Sequence, residues 1–299
     1  MKILLSCNLW MGEADYRFGL INTLSRMRGV DLRHILIGQD LQKEYLDFEP
    51  DVFLSIKGWI TEDIREQMKY DGCKTIQLFP DDPDRFEMAK EHIKEFDYFY
   101  TNSIQALKWY HDIGMEKVDV CCFATDEKFI EKIKPDKQYE HDVIFAGKPI
   151  PYRHPILNRL EGLDLGVYGK GWRPSVYGYT GRLLKDKEYF SALKSCKIGI
   201  DFSVSGSGYL NVKSKTFELA AAGIMIMTNK FSEMQNYFRY GVEIVGFENP
   251  DDLREKCEYY LDHEAERIAI AENGHARFLQ EHTWAKRIQQ VFKECEVDI

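Results

Sequence analysis

Short apolar runs alternating with stretches of helical periodicity constrain this chain more than any other feature of its sequence. In the first half the runs lie at 3–5, 32–37, 52–56, 75–79, 98–101 and 118–122. They read as strands, that at 3–5 as a buried one. Between them, Leu20, Ile21, Leu24 and Met27 share one helical side, Thr61 precedes Glu62 and Asp63 as a helix start, and Ser103 leads into Ile104 and Leu107. Phe86, Ala89, Ile93 and Phe96 recur at offsets of 0, 3, 7 and 10, which predicts one helix through all four. Repeated strand–helix units with short connections call for a parallel sheet with helices on both faces.

The segment 126–141, DEKFIEKIKPDKQYEH, interrupts the series: it is highly charged, contains Pro135 and has few apolar anchors. It is the expected domain boundary. The pattern then restarts, with strands at 143–146, 165–168, 198–200, 224–228 and 242–245 and helices at 155–160, 188–195 and 215–222, the last ended by Gly223. Asn249 and Pro250 read as the cap and first residue of a helix carrying Leu253, Cys257, Tyr260 and Leu261. Ile268, Ala271, Phe278 and Leu279 mark another helix, and Trp284, Ile288, Val291 and Phe292 a last one. The expectation is an α/β protein of two domains, 1–130 and 140–282, facing across a cleft, with a final helix in 283–299. Ligands of open parallel sheets bind beyond the C-terminal ends of the strands, so the cleft is the expected site.

Asp and Glu number 49 against 40 Lys and Arg, a net charge of −9, which excludes bulk nucleic-acid binding but not a local pocket for one or two phosphates. The seven cysteines are scattered and include no CxxC pair, so neither a disulfide scaffold nor a zinc module is expected, and Cys121-Cys122 reads as strand packing. MKILLSC is followed by Glu13, Asp15 and Arg17 and reads as a first strand instead of an export signal. No apolar stretch approaches the ~20 residues that span a bilayer. The expected compartment is the cytoplasm.

The most informative segment is IGIDFSVSGSGYLNVKSKTFELAAAGIMIMT, from Ile198. A strand ends in a loop with Ser203, Ser205, Gly206, Ser207 and Gly208; Lys213, Lys215 and Thr216 follow at a helix start, with Glu218 one turn on. Small loop residues let backbone N–H groups approach an anion, and the helix start adds positive charge. Lys215 is placed to meet a diphosphate, and Glu218 to accept ribose hydroxyls; a solvated loop with a Lys–Glu pair is the plain alternative. The spacing matches neither a P-loop nor GxGxxG. Gly147-Lys148 after one strand, Arg153 before a helix, and Gly169-Lys170-Gly171-Trp172 after another strand are expected at the edge of the same site. In the first half, Asp82 reads as a helix cap with Pro83 at the first helical position. Asp81 is then left to bind sugar hydroxyls or receive a proton. The acidic pair lacks the further carboxylates or histidines that a metal site needs, and none is expected. Tyr16 and Arg17, beside the loop 8–12, are candidates by position.

LFPDDPDRF, FDYFYTNSIQALKWYHDIG, HDVIFAGKPIPYRHPILNRL, DLGVYGKGW, KSKTFELAAAGIMIMT and ERIAIAENGHARFLQEHTWAKRI follow one another in an order and spacing that resemble the CgeB-type branch of the GT-B glycosyltransferases, within the glycosyl transferase group 1 class. The resemblance implies two Rossmann-like domains, a nucleoside-diphosphate sugar of UDP or GDP type as donor, no tightly bound cofactor, and metal-independent transfer, of a hexose, to an acceptor hydroxyl. It implies that the C-terminal domain holds the donor, with Glu218 on the ribose and Arg153 and Lys215 near the diphosphate, and that the final helix packs back on the first domain. Two positions depart from the family pattern. Lys215 stands where Arg is usual, keeping the charge without the bidentate fork. Leu210 stands where related retaining transferases carry a second glutamate. A nucleotide-sugar epimerase on the same fold and a catalytically silent glycan- or partner-binding protein of spore or coat assembly type are the alternative readings. Monomer and homodimer both remain open.

Overall fold

The computed structural model describes residues 1–8 and 16–298, Tyr16 by its backbone alone. The expected loop 8–12 therefore lies outside the described residues from Leu9 onward. Among those described, residues up to Asp126 together with 284–298 form one compact unit, and Glu127–Thr283 the other.

The first unit holds β1 (Lys2–Ser6), α1 (Tyr16–Arg26), β2 (Asp31–Ile35), α2 (Leu41–Phe48), β3 (Val52–Ile56), α3 (Glu62–Tyr70), β4 (Lys74–Phe79), α4 (Phe86–Ala89), β5 (Tyr98–Thr101), α5 (Ile104–Asp112) and β6 (Val118–Val120). The strands form one parallel sheet in the order β2-β1-β3-β4-β5-β6. In β3 all five residues are buried, Ser55 among them, and the other four are apolar.

In the second unit α6 (Glu127–Glu131) precedes β7 (Val143–Ala146), α7 (Arg153–Asn158), β8 (Leu165–Tyr168), α8 (Asp186–Lys194), β9 (Ile198–Asp201), α9 (Ser214–Ala222), β10 (Met225–Asn229), β11 (Val245–Phe247), α10 (Pro250–Asp262) and α11 (Glu264–Glu281). Its parallel sheet runs β11-β10-β9-β7-β8. The chain goes from β7 to β8 on one side and then crosses to β9 on the other, making the β7/β9 boundary the topological switch point. The two strands pair only at Val143–Ile198 and Ile144–Gly199, so they part toward their C-terminal ends. Close packing of α9 on β9 depends on Gly199, where a Cβ would fall 2.4 Å from Leu219. Gly223 ends α9 in the left-handed conformation, φ 75°.

The last helix, α12 (Trp284–Glu294), belongs to the first unit. Trp284, Ile288, Val291 and Phe292 are buried among Ile3, Leu5, Leu20 and Leu24. Its end is held by Lys74, whose Nζ donates to the carbonyls of Cys295 at 2.7 Å and Glu296 at 2.5 Å, a cation at a helix C-terminus. Its start is held by Trp284 N–H donating to Thr125 O at 3.2 Å, beside Asp126, which Arg26 grips with both guanidinium nitrogens at 2.7 and 3.0 Å.

Besides β2 and β6, which stop at Ile35 and Val120 short of the expected ends at 37 and 122, two elements differ from the sequence expectation. The helix through Phe86, Ala89, Ile93 and Phe96 is broken: α4 ends at Ala89 and a separate single turn covers Ile93–Glu95. Ala89, Ile93 and Phe96 are buried all the same, so the periodicity marked the inward face and not continuity. Across the break His92 bonds Glu95 and stacks on Trp59 with ring centroids 4.2 Å apart, while Glu95 accepts from Ile60 N at 3.1 Å. The strand expected at 242–245 begins only at Val245, because a turn wraps the buried Glu243 carboxylate, which accepts from Arg239 N at 2.7 Å and from its guanidinium.

Candidate functional site

The chemistry-bearing residues of the second unit gather where β7 and β9 part. At the end of β9, Asp201 is 2% exposed, and its Oδ2 accepts from the hydroxyls of Ser203 at 3.1 Å and Thr216 at 2.5 Å. Ser203 also meets the Thr228 hydroxyl at 2.8 Å. This buried acid ties the first turn of α9 to the strand end and so sets where Lys215 and Glu218 point. Tyr189, on α8, completes the group: its hydroxyl accepts from Lys215 Nζ at 2.7 Å and donates to Glu218 Oε2 at 2.5 Å. Lys215 and Glu218 themselves stand 3.7 Å apart. Burial pushes the Tyr189 phenol well above its ordinary pKa, reinforced by the Glu218 charge. Burial also lowers the Lys215 ammonium; Glu218 and Asp201 oppose that shift and Arg153 adds to it.

Arg153 opens α7 and folds back over the end of β7. Its guanidinium donates to Tyr152 OH at 3.1 Å and Lys148 O at 3.0 Å, and lies 5.3 to 5.5 Å from the ring centroids of Phe145, Tyr152 and Phe202. The Tyr152 hydroxyl in turn donates to Val204 O at 3.3 Å, linking α7 to the loop after β9. Three aromatic faces hold this cation through its quadrupole attraction and leave it in electrostatic reach of Lys215. Beside it, Gly147 O accepts from the Trp172 indole at 2.9 Å. Gly169 has φ 147°, and a Cβ there would come within 2.1 Å of that same carbonyl, so the corner closes only with glycine. Lys148 and Lys170 are exposed beside the corner.

The Ser/Gly loop differs from an open anion cradle. Ser205 N–H donates to Tyr209 O at 2.8 Å, Gly208 N–H to Ser205 O at 3.2 Å, and Tyr209 N–H to the Ser205 hydroxyl at 3.1 Å, closing a turn on itself with Val204 bridged to Leu210. Gly206 and Ser207 form its exposed tip, and Lys213 is the residue before α9.

In the first unit, Asp82 does not cap a helix. The turn from Pro80 delays α4 to Phe86, and Asp82 is buried, accepting from Thr101 Oγ1 at 2.6 Å and from the Tyr110 hydroxyl at 3.0 and 3.2 Å. Burial raises this carboxyl to about 6, against the lowering effect of both hydroxyls. Asp81 is ion-paired with Lys57, which follows β3 in the left-handed region at φ 67°. Next to them the ends of the strands frame an apolar notch of Ile56, Leu78, Phe79, Pro80, Phe123 and Trp284. The buried Asn102 borders it, with its amide oxygen on Asp82 N at 3.1 Å and its amide nitrogen unpartnered. All seven cysteines are free thiols, and burial pushes Cys121 up to about 12. Among the described residues no His, Cys, Asp and Glu side chains cluster as metal ligands, and no helix is long and apolar enough to cross a membrane.

The sequence pointed to Arg153, Lys215, Thr216, Glu218, Gly147 and Gly169, and the structure gathers these at one strand-end region. It missed Tyr189, Tyr152 and Asp201. Only Asp201 carried a usable signal, as an acid closing a fully buried strand.

A family model described as glycosyl transferase-like matches residues 153–293, the stretch that holds Arg153, Lys215 and Glu218. No curated protein is matched by sequence. Solved structures match along the full length: HepE of Anabaena in complex with UDP and glucose has a TM-score of 0.70 at 11% identity, over 99% of each chain. An alpha-glucosyltransferase in complex with UDP-glucose and DNA containing an abasic site has a TM-score of 0.72 at 12% identity, again over 99% of each chain. The fold is that of the GT-B glycosyltransferases. A putative UDP-N-acetylglucosamine 2-epimerase from Listeria monocytogenes shares this GT-B fold at a TM-score of 0.63 and 11% identity, over 99% of this chain and 97% of that one.

Proposed function

We propose that the chain is a glycosyltransferase of the CgeB-like kind, moving a hexose from a UDP-sugar to an acceptor hydroxyl without a metal. One observation carries this reading: Arg153, Lys215, Tyr189 and Glu218 gather at the switch point of a GT-B-type sheet, inside the segment matched by the glycosyl transferase-like model. The UDP bound by the Anabaena neighbour supports the choice of nucleotide.

As the glycosidic C–O bond breaks, negative charge grows on the departing diphosphate. Lys215, Arg153 and the first amides of α9 meet that charge in a partly desolvated setting, where electrostatic stabilisation is strongest. Glu218 accepts the ribose hydroxyls. Gly147, Gly169, Lys170, Ser205, Gly206, Ser207, Lys213 and Thr216 border the same region. In the first unit Asp81, with Lys57, serves as base or acceptor-positioning group beside the apolar notch.

A panel of UDP, GDP, ADP and dTDP sugars with wild type and Lys215→Ala tests this. Transfer or hydrolysis of a UDP-sugar by wild type, reduced roughly tenfold to a hundredfold by K215A with the fold intact, is the expected result. Inactivity across the panel sinks the reading. The similarity to an epimerase supports a second one, which an epimerised donor sugar formed without acceptor would establish instead.

A further inference from the structure

We propose that Tyr189 is the positioning residue of this site, its hydroxyl fixing the Glu218 carboxylate and the Lys215 ammonium relative to each other before a nucleotide arrives. The proposal rests on the donor-site reading above.

The geometry allows only one order of hydrogen bonds. Lysine has donors alone and a carboxylate only acceptors, so the hydroxyl between them accepts from Lys215 and donates to Glu218. The 3.7 Å between the two charged groups is too long for a direct hydrogen bond, and the hydroxyl spans it. The ammonium also lies 5.0 Å from the centre of the Tyr189 ring. Tyr189 itself has little freedom. It is 4% exposed, its ring meets Phe190 edge-on, and α8 is anchored by Lys194 Nζ on the carbonyls of Ile130 and Ile133 and by Ser191 Oγ on Lys134 O. The tyrosine thus refers two α9 side chains to a second, independently fixed helix.

This arrangement divides the Glu218 carboxylate. Oε2 is committed to Tyr189, while Oε1 receives no hydrogen bond among the described residues and faces the work of accepting from a ribose diol. Without the hydroxyl, lysine and glutamate are free to close into a direct pair, which withdraws both from a bound nucleotide at once.

The test is UDP affinity by calorimetry on the full chain for wild type, Tyr189→Phe, Glu218→Gln and the double variant, with 2′-deoxy-UDP as second probe. Wild type is expected to bind UDP more tightly than the deoxy analogue. Y189F loses about tenfold in UDP affinity and part of that discrimination, and the double variant binds no worse than E218Q alone. Wild-type affinity and discrimination in Y189F, or losses that simply add, overturn the proposal. If Y189F fails to melt cooperatively, the cycle is run with Lys215→Met and E218Q, and additive losses there overturn it equally. Wild type that binds none of UDP, GDP, ADP and dTDP refutes the donor site itself; UDP binding that E218Q weakens and Y189F leaves untouched refutes only the role of Tyr189.

Discussion

Replacing Asp82 by asparagine isolates the energetic consequence of burying an acid at the strand ends of the first unit. Folded, Asp82 titrates near 6; in the unfolded chain an aspartate titrates at about 3.9. Between those values the native state holds a proton that the unfolded state has released, so stability falls as pH rises through the window. The penalty is absent below pH 4 and complete above pH 6. A gap of about 2 pH units, at about 1.4 kcal/mol each, makes it on the order of 3 kcal/mol. Asparagine keeps an oxygen for the Thr101 and Tyr110 hydroxyls and removes the titration. Urea unfolding of both proteins at pH 4, 5, 6 and 7, followed by far-ultraviolet circular dichroism, reads the difference, in which all other titrating groups cancel. The stability of D82N relative to wild type should climb by about 3 kcal/mol from pH 4 to pH 7. A difference that stays flat within about 1 kcal/mol would refute the argument that burial dominates this carboxyl.

Trp284→Ala removes the largest α12 side chain from a buried apolar layer and should cost about 3–5 kcal/mol, read as a shift in the urea midpoint. A loss under about 1 kcal/mol would mean that α12 is not integral to that core. Gly169→Ala places a methyl against the Gly147 carbonyl at a φ that L residues avoid, and should cost at least about 2 kcal/mol while weakening UDP binding through the displaced corner. Unaltered stability in that variant would contradict the tight approach of the two loops.

The parallel sheets were legible because strands buried on both faces leave largely apolar runs, complete in β7 and broken only by Ser55 in β3. Lys215 and Glu218 were legible as well, since a spacing of three on a helix puts both on one side. Tyr189 was not: beside Phe190 it looks like a packing residue, and the two groups that give its hydroxyl a task lie 26 and 29 positions away. Asp82 failed for the same reason. A local rule for Asp-Pro assigned it a cap, whereas Thr101 and Tyr110, brought alongside by β5 and α5, made it a buried acceptor. Turn wrapping around Glu243 likewise displaced β11 through contacts that no periodicity records.

The membership of α12 in the first unit has a consequence for how the chain comes into being. The layer under β1, β3 and β4 stays open until Trp284, Ile288, Val291 and Phe292 arrive, and these are made only after the whole of residues 127–283. Domains usually complete themselves in order of synthesis. Here the order inverts: residues 127–283 can finish while the earlier part of the chain still waits with an exposed apolar face. A break in the chain before Trp284 leaves residues 127–283 sound and the earlier unit without this layer, so the damage falls on the part made first.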